Sequence, residues 1–220
     1  MNLNKKRKRE MEIQKEKRRR EIIISALEIF KAKGIGSTKM TDVAKKSEYG
    51  VATVYRYFST KSELVVEAAT HLWVKEISQI KNLLEEKTFS QSTCIEKIQK
   101  ILELFLDVYT NQRDLLFFLD EFDTYILKEE LTGDQLKNYE KNILNLKDTV
   151  VNTLNKGIEE GTVKKNLDPE LYYTTTTHSL MSLCQKLALR GKILNTDSNF
   201  RAEEQIKTLI DISVNYIKSK

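Results

Sequence analysis

An all-α protein in two domains is predicted by three features of the 220-residue sequence. Gly and Pro, the residues that punctuate turns and sheets, number only 7 and 1, and neither occurs between Gly50 and Gly133. Apolar residues return at helical spacing in one run after another. No stretch alternates apolar and polar residues one by one, as a half-buried strand would. A hydrophobic fraction of 40% is enough for packed cores, and the length allows one or two domains.

The elements follow in order. Residues 1–13, with Lys5, Lys6, Arg7, Lys8 and Arg9, read as a basic arm that is disordered when free. From about Gln14 a helix carries Ile22, Ile23, Ala26, Ile29 and Phe30 on one stripe, and Gly34 is placed to end it. A short helix follows from Thr38, its expected N-cap, to Lys46, with Met40, Val43 and Ala44 inward. After a turn at 47–50 a second short helix covers 51–58. Ser59 or Thr60 caps the next helix, with Glu63 where a capping-box partner belongs.

That next helix is long. Leu64, Val65, Ala68, Leu72, Trp73, Ile77, Ile80 and Leu84 keep the period to about Lys87, too far for the small basic domain alone, so it is expected to bridge into the second domain. Thr88–Thr93 is polar and reads as a loop. Helices are then expected at 94–111, 112–128 and 133–160, with Gly161 ending the last. Asp168-Pro169-Glu170 starts another through an Asp cap, Pro at the first position and acid in the first turn, and Gly191 stops it. A final helix, 201–218, places Ile206, Leu209, Ile210, Val214 and Ile217 on one face.

Charge divides the chain. Residues 1–65 hold 17 Lys/Arg and 8 Asp/Glu, whereas the remainder holds 20 and 24. One end suits a polyanion and the other does not. A run long and apolar enough to span a membrane is absent, as is the apolar core of a signal peptide after Lys5–Arg9. Cys94 and Cys184 stand far apart and read as buried, reduced thiols in a cytoplasmic protein.

Residues 19–64 carry the functional signal: a long helix, two short ones, a tight turn and then a long helix. A helix-turn-helix needs this, one helix bracing across the phosphates while its partner enters the major groove. The partner must begin with slim residues, and Gly50-Val51-Ala52-Thr53 supplies them. Thr53 can hydrogen-bond a base edge or phosphate, and Val51 or Ala52 can touch a thymine methyl. Tyr55 and Arg56 follow, and Tyr57 and Lys61 are placed to reach phosphates.

The pattern resembles the TetR family of one-component regulators. It does so through Arg19, Ile22-Ile23, Ser25-Ala26, Ile29-Phe30, Gly34, Thr38, Val43-Ala44, Thr53-Val54-Tyr55-Arg56-Tyr57-Phe58, Lys61 and Glu63-Leu64. The sequence departs at the turn, where the family usually has Gly at Glu48, Val at Tyr49 and Ser or Thr at Gly50. A positive φ at Glu48 would cost about 1 kcal/mol. Lys39 also stands where Thr is frequent, which could add a phosphate contact beside Thr38.

The resemblance implies domains at 14–64 for DNA binding and 65–220 for effector binding and dimerisation. It implies a homodimer paired through helices 168–190 and 201–218, two recognition helices about 34–36 Å apart on a palindromic double-stranded operator, and repression relieved by a small, largely apolar effector. The rival reading is a DNA-binding regulatory or architectural protein whose C-terminal domain holds a protein partner. Docking of the basic amphipathic first helix on an anionic membrane is a more distant one.

The arm, with ten basic and three acidic residues in the first twenty, reads as a solvated tail or as a second grip on phosphates or an adjacent minor groove. Trp73, Tyr109, Phe117, Phe118, Phe122 and Tyr125 read as core or as lining of an effector pocket. Among the latter, Asp120, Glu121 and Asp123 read as a solvated acidic face, or as the complement of a cationic effector. His178 and His71 read as structural, with an effector contact the alternative for His178. No Cys or His partners stand at metal spacing, so no metal site or cofactor is expected. No nucleophile elbow appears, and Gly34-Ile35-Gly36 lacks the strand and Lys-Ser/Thr of a phosphate loop, so no enzyme is expected.

Overall fold

A computed structural model describes residues 3–143, 146–191, 193 and 199–219, which form eleven α-helices and, among those residues, no strand. The helices are α1 (Leu3–Lys33), α2 (Met40–Lys46), α3 (Val51–Tyr57), α4 (Lys61–Glu85), α5 (Lys87–Ser90), α6 (Cys94–Asn111), α7 (Arg113–Lys128), α8 (Gly133–Ile143), α9 (Lys147–Glu159), α10 (Pro169–Arg190) and α11 (Ala202–Ile217). None of the described helices is long and apolar enough to cross a membrane.

Two compact units divide the chain. One holds residues 1–73 together with 121–140, and the other holds 74–120 with 141–220. The boundary expected at 64/65 is therefore displaced, and a segment from the middle of the chain joins the N-terminal unit. Both α4 and α7 begin in one unit and end in the other.

The first unit packs α1 on α2 and α2 on α3. Its buried residues include Ile22, Ala26, Phe30, Val43, Val54, Phe58 and Leu64, most of them on the stripes read from the sequence. Of the arm expected to be disordered, residues 3–13 are instead the first turns of α1, and residues 1–2 lie outside the described part. Lys, Arg, Glu, Gln and Met are all good helix formers, and a helix already nucleated by its packed half only needs to propagate. Residues 5–18 are exposed on every side, so propensity and not packing holds them helical.

The second unit packs α6, α9, α10 and α11 together. Ile98, Leu154, Leu180 and Ile206 lie at its centre. Its chain end is tied down: Lys164 N–H donates to the Ile217 carbonyl at 3.0 Å and Ser219 N–H to that of Thr162 at 3.1 Å. The single helix expected over 133–160 is two, α8 and α9, with residues 144–145 outside the described part. The expected loop 88–93 holds the one-turn α5. Asp168 caps α10 as expected, its carboxylate accepting the Glu170 and Leu171 N–H groups at 3.0 Å each.

Candidate nucleic-acid interface

The helix-turn-helix is built from two well-formed ends. At the end of α2, Tyr49 N–H reaches the Ala44 carbonyl at 3.1 Å and Glu48 N–H reaches that of Lys45 at 3.4 Å. This is the Schellman arrangement, and it puts Glu48 at φ 59°, the left-handed region where glycine is the usual occupant. Gly50, extended at φ −63°, then starts α3, its carbonyl accepting from Thr53 and Val54. The turn is kept, with a different residue bearing its strain.

Tyr49 has its own partner. Its hydroxyl donates to Glu21 on α1, a bond that raises the phenol above its ordinary pKa. Arg19 of α1 pairs with Glu67 of α4 at 2.9 Å and lies 5.4 Å from the Phe58 ring centroid. Lys46 pairs with Glu28 at 2.8 Å. Part of the positive charge of this unit is thus spent on bracing α1 against α2, the turn and α4. Thr60 caps α4 by accepting the Glu63 N–H at 3.1 Å, while the Glu63 carboxylate takes the N–H and hydroxyl of Ser59.

The short α3 has an inner and an outer face. Val54 and Phe58 are buried. Val51 (39% exposed), Ala52, Tyr55 (49% exposed) and Arg56 face outward together at i, i+1, i+4 and i+5. Thr53 and Tyr57 flank that face half-buried, and the Arg56 guanidinium lies 5.8 Å from the Tyr57 ring centroid. Small residues at the start and a cation with aromatics behind them suit a helix that must press its first turn against base edges.

The three expected DNA contacts outside α3 are placed differently from one another. Thr38 is 2% exposed and its hydroxyl donates to the Gly34 carbonyl at 2.8 Å, so it neither caps α2 nor has a hydroxyl to offer phosphate. Lys39 is the residue before α2, exposed, and its N–H is taken by Asp42 at 2.9 Å. Asp42 also receives Lys33 Nζ at 2.6 Å, and these two donors hold its carboxyl below the ordinary value. Lys61 is half-buried, its ammonium 5.5 Å from the Tyr125 ring centroid and 3.4 Å from the Gly36 carbonyl, and burial lowers its pKa.

The segment 121–140 supports this interface from behind. Glu121, expected on a solvated acidic face, accepts the Ile35 N–H at 2.8 Å. Its carboxylate lies 2.6 Å from where a Cβ on Gly34 would stand, and Gly34 has φ 86°. The α1–α2 turn is therefore clamped by a side chain 86 residues away. The Tyr125 and Ser62 hydroxyls are hydrogen-bonded at 3.0 Å.

The seven aromatic and histidine candidates for an effector site divide between the units. In the first, Trp73 Nε1–H donates to the Tyr139 hydroxyl at 3.1 Å, and the Phe122 and Tyr139 ring centroids are 4.7 Å apart. Burial pushes the Tyr139 phenol well above its usual range. Tyr139 was missed in the sequence, although Leu136 and Tyr139 at helical spacing carried the signal. In the second unit, Tyr109 and Phe118 are buried, and the Tyr109 hydroxyl accepts from Arg113 at 3.0 Å. Phe117 and His178 are exposed. The polar ends of Trp73, Tyr109 and Tyr125 are thus engaged within the protein. No cluster of His, Cys, Asp or Glu fit to hold a metal occurs among the described residues.

Residues 22–68 match the family described as bacterial regulatory proteins, tetR family. The fatty acid metabolism regulator protein of Bacillus subtilis is 23% identical over 160 residues, 72% of this chain and 77% of that protein. Solved structures share the fold. A transcriptional regulator of Saccharomonospora viridis in complex with choline has a TM-score of 0.71 at 18% identity, over 92% of this chain and 98% of that one. The regulator FadR of Bacillus subtilis in complex with stearoyl-CoA has a TM-score of 0.64 at 16% identity, over 90% and 98%. The helix-turn-helix built above lies within the matched segment, so residues 22–68 form a DNA-binding domain of the kind found in bacterial regulatory proteins of the tetR family, and the chain as a whole shares the all-α fold of these solved regulators.

Proposed function

We propose that the protein is a repressor that binds a palindromic operator as a homodimer and leaves it when a small, largely apolar effector binds. The observation that carries the DNA reading is the outward face of α3, where Val51, Ala52, Tyr55 and Arg56 stand clear of the core with the half-buried Thr53 beside them. Arg56 and Thr53 supply donors to base edges, Val51 and Ala52 supply contact with thymine methyls, and Lys39, Tyr57 and Lys61 supply contacts to the backbone.

Dimerisation is supported by apolar side chains left in solvent on α10 and α11, where Leu171, Ile212 and Tyr216 are 64%, 60% and 59% exposed. Apolar side chains held in solvent on two helices that pack together are what a subunit contact would cover. The effector reading draws on the two relatives whose structures hold stearoyl-CoA and choline. Tyr109, Phe117, Phe118 and His178 are the candidates in the second unit, and Trp73, Phe122 and Tyr125 those in the first. A protein partner in place of a small molecule is the competing reading of the same domain.

Selection from a randomised duplex pool at physiological salt tests the first claim. A single preferred palindrome is expected, and Arg56→Ala and Tyr57→Phe should each weaken its binding with the fold intact. No preference for any duplex would overturn the proposal. Stearoyl-CoA and choline, each added in a thermal melt, test the second, because a ligand of the folded state raises the melting point.

A further inference from the structure

The N-terminal half of α1 is an unusual thing to find in solvent. Residues 5–18 touch nothing on any side that would bury them, yet they run on as a helix from the packed half of α1. Between them and the end of α3 lies an open groove of about 850 Å³. Arg7, Met11, Lys15 and Arg18 line it from α1, and Arg56 and Tyr57 line it from α3. Of the eight α1 residues around it, these four recur at i, i+4, i+8 and i+11 and form the middle of that side of the helix.

The charge of this face is uncommitted. Among the described residues Lys17 pairs with Glu21 and Arg19 with Glu67, whereas Arg7, Lys15 and Arg18 take part in no ion pair. Five basic side chains and two acidic ones, Glu10 and Glu12, line the groove. An excess of cations over carboxylates, with Arg7, Lys15 and Arg18 in no ion pair, beside a helix whose outer face suits base edges, forms a surface for a polyanion.

We propose that this groove is a second DNA site, a helical rail that takes the phosphate backbone of the duplex beside the stretch read by α3. It rests on the DNA-binding reading above and adds a place, a number of contacts and a mode. A helix with its side chains is about 10–12 Å across, and the minor groove is about 6 Å wide. The rail therefore stays on phosphates and does not thread the minor groove, as an extended arm would. From Arg7 to Arg18 the axis advances about 16 Å at 1.5 Å per residue. Three cations over that length match about three successive phosphates of one strand. Contacts of this kind set register and operator length without reading bases.

The test uses the full-length protein and two probes: a 40-base-pair duplex of mixed sequence, and the duplex recovered from the random pool. The groove variant is Arg7→Gln/Lys15→Gln/Arg18→Gln, all at exposed positions, with circular dichroism to verify that the helices remain. Losing three phosphate contacts should lower the slope of log affinity against log salt by about 2.7 on both probes. The swapped variant Arg7→Lys/Lys15→Arg/Arg18→Lys should keep the wild-type slope. Trimming the flanks of the selected duplex by five base pairs on each side should weaken the wild type and leave the Gln variant unaffected.

An unchanged slope in the Gln variant overturns the proposal. So does a variant that keeps its DNA slope and loses only its binding to phosphatidylglycerol vesicles, which would make the groove a lipid-surface site. Failure of the base-reading claim looks different: the selected and mixed duplexes would then bind alike, and Arg56→Ala would not lower their ratio.

Discussion

Gly34→Ala should cost the protein about 2–4 kcal/mol, and half of that should vanish when Glu121 is also removed. The residue sits at φ 86° at the end of α1, where an L side chain costs about 1–2 kcal/mol. A Cβ there would lie 2.6 Å from the Glu121 carboxylate. That carboxylate is the end of a flexible side chain and can swing away, but it then abandons the N–H of Ile35, itself a buried residue, which it now holds at 2.8 Å. Leaving such a donor without its partner costs about 1–3 kcal/mol, towards the low end here because the carboxylate is partly in water. In a Glu121→Ala background the hydrogen bond is already lost, so Gly34→Ala should cost only the backbone strain, about 1–2 kcal/mol. The double-mutant cycle should therefore show a coupling of about 1–2 kcal/mol. Thermal unfolding followed by far-UV circular dichroism reads this as a fall of about 4–16 °C for the single Gly34→Ala variant, at about 2–4 °C per kcal/mol for a chain of this size. Strictly additive single effects would show that Glu121 does not clamp the α1–α2 turn, and a Gly34→Ala change below about 0.5 kcal/mol would refute the strain as well.

Other consequences are direct. Burial pushes the Cys184 thiol up to about 12, so at pH 8 iodoacetamide should modify it only after unfolding; rapid labelling of the native protein would contradict its place in the core. Asp42 has its pKa lowered by Lys33 and then by the Lys39 N–H. Its stabilisation is present above its unfolded pKa and lost as pH falls through the lower folded one, so Asp42→Asn should flatten the loss of stability as the pH falls below about 4 relative to wild type. An acid limb of unchanged steepness would speak against it. Ile212→Asp/Tyr216→Asp should turn the proposed dimer into a folded monomer in sedimentation velocity, since both side chains are largely in solvent on α11; a dimer that survives would place the interface elsewhere.

The sequence by itself determined what depends on near neighbours in the chain. Helix ends are set by groups a few residues apart, so Asp168-Pro169 starting α10, Gly161 ending α9 and Glu63 at the start of α4 were all legible. The inner and outer faces of α3 follow from the 3.6-residue period, and the strain at Glu48 from a turn whose usual residue is glycine. The same local rules misjudged residues 3–13, because low hydrophobicity argued for disorder while the Lys, Arg and Glu that cause it also favour a helix once nucleation is supplied by α1.

Only the tertiary structure decided which distant pieces meet. Glu121 looked like one acid among several on α7, and nothing within a few residues of it announces an N–H acceptor role at Ile35. Thr38 has the composition of a cap or a phosphate contact, and burial against the α1 end assigns its hydroxyl to Gly34 instead. The aromatic residues were recognisable as apolar, but their division between two units follows from where α4 and α7 pass from one to the other. Hydrogen bonds and packing between residues far apart in sequence carry no periodic signature, since they are fixed by how whole helices settle against one another.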